Sequence, residues 1–200
     1  YSNTTGVDNS AFGHGSLRYN NTGNNNSAFG FESLFFNTSG SNNTASGYHS
    51  LYSNTTGFQN TAIGQEALSF NTTGAKNTSI GYQALSSNTS GENNTATGLQ
   101  SLYSNTTGIN NSGFGLHSLA ANASGNYNTA IGADAMFLNN SGSNNSAVGH
   151  EALFNNTFGW DNVAVGGQTL KNNTTGIQNT GVGTAALFNH TTGNYNVAIG

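Results

Sequence analysis

Four kinds of side-chain file in this chain could carry chemistry, and each recurs at one fixed spacing along the sequence. One combines imidazole and carboxylate: Glu32, His49 and Glu66 stand 17 apart, as do His117, Asp134 and Glu151. Those groups could hold a divalent cation or act as general acid and base. Their column also holds Gly15, Gln83, Gln100 and Ala185, so no ligand set repeats, and the preferred reading is a solvated polar stripe. With no sign of a cleft, a desolvated carboxylate or a positioned nucleophile, neither a cofactor nor catalysis is expected.

A second file consists of Asn-x-Ser/Thr acceptors for N-linked glycans, at Asn3, Asn20, Asn37, Asn54, Asn71, Asn88, Asn105, Asn122, Asn139, Asn155, Asn173 and Asn189. Asn155 and Asn189 each sit one residue early, where Phe158 spoils the regular acceptor and His190 replaces its Asn. Chance in an Asn- and Thr-rich chain is the competing reading, since glycans about 4.8 Å apart would crowd. A third file is made of hydroxyls, such as Thr55 with Thr61 and Thr72 with Thr78, the kind of array that can bind ice. Ser10, Ser27, Val163 and Val197 interrupt one of its columns, and Asn21, Ala123 and Asn140 the other. The fourth is aromatic, with Phe35, Phe36, Tyr48, Tyr52, Phe70, Tyr103 and Phe154 able to stack on sugar rings or to cover a seam between chains. The seam is preferred, because large aromatics left in water on every repeat invite aggregation.

What positions these files is a tandem repeat. A phrase of the type NTAIG closes at Gly13, Gly30, Gly47, Gly64, Gly81, Gly98, Gly115, Gly132, Gly149, Gly166, Gly183 and Gly200. Residues 1–200 thus form a single repeat domain of one partial and eleven complete units, with nothing left for a separate catalytic domain. So short a period fits one turn of a β-solenoid. The fold expected is all-β: a parallel β-solenoid, or β-roll, of twelve 17-residue coils.

With the closing Gly as position 17, position 10 is also always Gly, from Gly6 to Gly193, which suggests positive φ or close backbone approach. Position 13 is always Asn: Asn9, Asn26, Asn43, Asn60, Asn77, Asn94, Asn111, Asn128, Asn145, Asn162, Asn179 and Asn196. That column reads as an amide ladder along the stack or as a left-handed turn residue, the ladder being preferred. Position 4 is Leu except for Met136, and position 16 is Phe, Ile or Val except for Ser46 and Thr97. Positions 3 and 15 hold only small residues, such as Ser33 and Ala67 or Ala62 and Gly113.

Adjacent strand residues point to opposite faces, so a small residue beside a large one, as in Ala62 and Ile63, constrains both. One face is the interior. A restriction to small residues on the other has no cause in a lone solenoid, so that face is expected to pack against another chain. Positions 1, 2, 5, 11 and 12 vary freely and are expected to form the exposed perimeter.

Charged residues are 5% of the chain against a usual quarter or so, and 28 residues are Gly, a composition that taken alone suggests disorder. The strict register of Leu and Gly argues for a folded rod, on the order of 55 Å long at a strand spacing of about 4.8 Å. Arg18, Lys76 and Lys171 are the only basic residues and the net charge is -4, so a nucleic-acid partner is not expected. No apolar stretch is long enough to insert in a membrane. Without Cys no disulfide is available, and uncapped coils would leave pairing edges, so the natural molecule is expected to continue or be capped beyond Tyr1 and Gly200.

The phrases NTAIG at 60–64 and 128–132, NVAVG at 162–166 and NVAIG at 196–200 resemble the NSVAIG signature of YadA-type heads of trimeric autotransporter adhesins. The resemblance spans the chain, although the unit is longer and the NTTG segment, as at 54–57, lies outside that signature. It implies a left-handed parallel β-roll, three chains packed side by side, and binding to host matrix or other surfaces. The NTAIGYQAL and NTTG phrases also look like repeats of fibre proteins of bacteria and large viruses, often joined to a tail-fibre chaperone domain. The functional expectation is an extracellular, cell-surface or virion-surface fibre that makes multivalent, adhesin-like contacts without catalysis. Its expected partners are copies of itself, as a homotrimer that continues end to end, with glycans or surface and matrix ligands next. The alternative is a flat-faced solenoid that binds carbohydrate or ice.

Overall fold

A computed structural model describes residues 3–200 of the chain; Tyr1 and Ser2, the first two residues of the repeat domain, lie outside the described residues. Twelve three-residue strands, from β1 (Ser10–Phe12) to β12 (Val197–Ile199), occupy positions 14–16 of successive coils. They form one parallel sheet in sequence order, and each residue pairs with its counterpart one coil later, as in Ala62 with Ser79. The protein is a parallel β-solenoid.

Bonding between coils does not stop at the strands. Leu68 N donates to Ala84 O, Phe70 N to Ser86 O, Thr72 N to Thr89 O and Gln83 N to Gln65 O, so every side of the coil is tied to its neighbours. That continuous pairing replaces a thick core, and three-residue strands suffice because the turns are also hydrogen bonded across the stack.

Strand alternation decides what lies inside. In each strand the middle residue at position 15 is buried from Ala28 to Ala164, while its neighbours at 14 and 16 face outward. Small residues are therefore required inside, where Gly113 faces the hydroxyls of Ser101 and Ser118. The expectation that the small column packs against another chain is thus corrected: the large column is the outward one. Its side chains from Phe29 to Val182, apart from Ser46 and Thr97, are 37–47% exposed.

Leu at position 4 supplies the large apolar interior. Leu34 through Leu170, with Met136 among them, are fully buried beside the small residues of position 3. Two adjacent inward side chains are not strand geometry, and left-handed backbone makes them possible. Position 4 has φ of 50–54° and position 2, apart from Gly15, φ of 52–59°. Non-glycine residues adopt that region at a cost, here offset by burial of Leu on every coil. Position 12 is left-handed as well, φ 54–60°, which accounts for its many Asn and Asp residues but not for Gln59, Lys76, Tyr127, Gln178 or Tyr195.

The two glycine columns have different causes. Gly81 combines a φ of 135° with close stacking, for a Cβ there would lie 2.5 Å from Gly98 O. Gly91, at position 10, has no left-handed φ, and its Cβ would meet Gly108 O at 2.5 Å. Corner glycines thus let backbones of successive coils touch.

Candidate functional site

The invariant Asn column lies inside the corner between turn and strand. Asn77 Nδ2 donates to Asn60 Oδ1 at 3.2 Å and to Gly91 O at 2.8 Å, while its Oδ1 accepts from Asn94 N at 3.0 Å and Asn94 Nδ2 at 3.2 Å. This pattern runs the length of the chain. Asn26, Asn43, Asn60, Asn77, Asn94, Asn111, Asn128, Asn145, Asn162 and Asn179 are buried, and Asn9 and Asn196 at the ends are half-buried. Because the side chain also caps the backbone N–H of the next Asn, no residue lacking both donor and acceptor serves here.

Position 7 makes a second ladder. Asn71 Nδ2 donates to Asn54 Oδ1 at 2.8 Å and to Gly74 O at 3.0 Å, and Asn88 Nδ2 donates to Asn71 Oδ1 at 2.8 Å. This corrects the glycan-acceptor reading. Asn20, Asn37, Asn54, Asn71, Asn88, Asn105, Asn122, Asn139 and Asn173 are buried, and their Nδ2 atoms, which a glycan would have to replace, are spent on Gly O and the previous Asn. Among the predicted acceptors only Asn3 and Asn189 are exposed, with Asn155 half-buried and bonded to Asn172. His190 takes the ladder position in the last coil, where its Nε2 bonds Gly193 O at 2.8 Å, and Asn173 Oδ1 is left buried without a partner.

The imidazole and carboxylate file breaks into separate couples. His49 bonds Glu32 at 3.0 Å, while Glu66 turns the other way to accept from Gln83 Nε2 at 2.7 Å. His117 bonds Asp134 at 3.2 Å, and Glu151 accepts from Gln168 at 2.7 Å and Lys171 at 2.8 Å. Hydrogen bonds from Lys171, then Gln168, hold the Glu151 carboxyl below the ordinary carboxylate value. Burial, helped by the Glu32 charge, pushes the Tyr52 phenol up. Among the described residues no three His, Asp or Glu groups converge as metal ligands.

Threonines of position 8 are not a free hydroxyl lattice. Thr55 Oγ1 donates to Thr72 O at 2.9 Å and Thr72 Oγ1 to Thr89 O at 3.0 Å, so these hydroxyls tie coil to coil. Thr61, Thr78 and Thr95 of position 14 are half-exposed on the outer sheet face, beside the apolar column.

Aromatic rings of the first coils stack along the axis. His14 and Phe31 lie 5.2 Å apart with 15° between planes, and Phe31 and Tyr48 5.5 Å apart with 12°. Phe35 stacks on Tyr52 at 5.3 Å, and Arg18 lies over Tyr19 and Phe35. Because each ring covers the face of the next, this stack presents ring edges outward. It is not a platform of open ring faces for sugars.

The outer sheet face stands apart from these self-satisfied files. On it the column of Phe29, Ile63, Ile80, Phe114, Ile131, Val148, Val165 and Val182 faces solvent along nearly the whole chain. Small inward residues disclosed through the sequence that two faces were constrained, but no sequence signal told which face was which. Comparison with protein-family models, with curated proteins and with solved structures finds no match for this chain.

Proposed function

We propose that this chain is a non-catalytic structural rod, a segment of an extracellular, cell-surface or virion-surface fibre. Copies of it associate side by side through the outer sheet face. The observation that carries this reading is the exposed apolar column at position 16, for single soluble chains rarely leave so long a file of Phe, Ile and Val in water.

Area favours more than the strands alone. A face three residues wide and twelve coils long covers on the order of 500 Å². Stable contacts bury roughly 800 Å² per partner. Phe31, Tyr48, Tyr82, Leu99 and Leu116 of position 1, exposed just past the Gly corner, extend the same apolar surface and belong to the contact. Three chains are proposed because the NTAIG phrases resemble those of trimeric adhesin heads. Many near-identical coils then offer many weak contacts to a surface, and attachment comes from avidity.

Half-exposed Thr61, Thr78 and Thr95 beside that column favour one second reading, a single chain whose flat outer face binds ice or carbohydrate. Sedimentation mass separates the two. A multiple of the 20.5 kDa chain mass, reduced to one chain by Ile131→Asp with Val148→Asp, is the expected result. A mass of 20.5 kDa at every concentration would overturn the assembly and leave the flat-face reading.

A further inference from the structure

The aromatic file at position 5 is interrupted at Ser69 and Ser86 and again, for a single coil with a ring on either side, at Ala120. Tyr103 and Phe137 occupy this column two coils apart, and between them stands Ala120, with Ala121 beside it. A recess of about 330 Å³ opens over the two alanines, lined also by Gln100, Ser104 and His117. That volume is at the lower end of small-molecule sites, enough for one ring-sized group.

Backbone bonds keep the three coils in register, with Ser104 N donating to Ala120 O and Ala121 N to Phe137 O. The Tyr103 and Phe137 positions are therefore two strand spacings apart, roughly 10 Å. Where the column is filled, successive rings lie 5.2 Å apart, as in Phe137 and Phe154. His117 already packs edge-on against Phe137, with ring centroids 5.8 Å apart, so one ring inserted over Ala120 would stack on Tyr103 and meet Phe137 beside that imidazole.

We propose that this recess is a binding slot for one neutral pyranose ring, free or at the end of a glycan. Ring walls suit the apolar C–H faces of a pyranose, and the remaining lining suits its hydroxyls. Gln100 donates Nε2 to Gln83 Oε1 at 2.8 Å, which leaves its own Oε1 as an acceptor. With His117 Nδ1–H donating to Asp134 at 3.2 Å, Nε2 is the second acceptor. The Ser104 and Tyr103 hydroxyls both donate and accept. A flat aromatic ligand such as phenol offers these atoms one hydroxyl where a pyranose offers several, and would strip the water from the rest. An anion would meet no Lys or Arg on the lining and would face the Asp134 carboxylate behind His117. The slot is formed within one chain and stands whether or not chains assemble.

Saturation-transfer NMR on the protein as purified tests this, with the methyl glycosides of glucose, galactose and mannose as probes and phenol as the planar control. At least one glycoside should receive transfer at millimolar concentration. Ala120→Phe, which supplies the ring found in this column at Phe137 and Phe154, should weaken it at least tenfold while thermal stability is kept. Tyr103→Ser, which introduces the residue found in the same column at Ser69 and Ser86, should weaken it similarly by removing one wall. Absence of transfer to all three glycosides overturns the proposal. So does transfer to phenol alone, or transfer that survives both substitutions.

Discussion

Asn77→Ala is the substitution that most directly tests how the coils hold together. It removes four side-chain hydrogen bonds at a buried site. Most of the abandoned partners keep another bond. Asn60 Oδ1 still accepts from the backbone N of residue 77, Gly91 O from Asn88 Nδ2, and Asn94 Nδ2 still donates to Gly108 O. Asn94 N–H alone loses its acceptor and is buried without one.

An orphaned buried donor costs about 1–3 kcal/mol, and each of the three bonds lost with compensation about 0.5 kcal/mol, so the total is about 2.5–4.5 kcal/mol. Asn9→Ala, at a half-buried end where water can replace the lost bonds, should cost about 1 kcal/mol. Urea unfolding followed by circular dichroism at fixed protein concentration gives the difference, and hydrogen exchange reports on the Asn94 amide itself. Equal costs for the two substitutions, together with unchanged protection at Asn94, would refute the ladder as the source of stability.

The broken rung at the last coil makes the converse prediction: His190→Asn should provide Asn173 Oδ1 with its missing donor and stabilise the chain by about 1–2 kcal/mol, seen as a raised urea midpoint. Glu151 should show a carboxyl pKa below that of an unfolded chain, because Lys171 and Gln168 favour the charged form. Its contribution is therefore complete above the unfolded value and lost as pH falls through the lowered one; Lys171→Ala should move the pKa back up in a carbon-detected NMR titration.

The repeat made much of this fold legible. Gly81 and Gly91 announced corners because no side chain is ever tolerated there, and Asn77 stood out because its neighbour at position 12 changes freely. Ala62 and Ile63 were harder: alternation shows that two faces differ, while burial of the smaller residue depends on how narrow the coil is. Asn71 misled because a sequon and a buried amide share the same letters, and only the bond from its Nδ2 to Gly74 O separates them. Left-handed Leu85 left no trace, since Leu is not a residue that seeks positive φ; burial overrides its local preference. The slot over Ala120 was invisible while aromatics were read for where they occur and not for where one is absent.

In-register pairing of each coil with its copy in the next makes length a free variable of this architecture. Deleting or duplicating one whole coil rejoins surfaces that already match, so the rod can lengthen or shorten in steps of about 4.8 Å without any new interface having to be invented. A change by any fraction of a coil shifts Asn against Gly and Leu against Ser at once. The molecule is graduated like a ruler, and only whole divisions can be added to it or taken away.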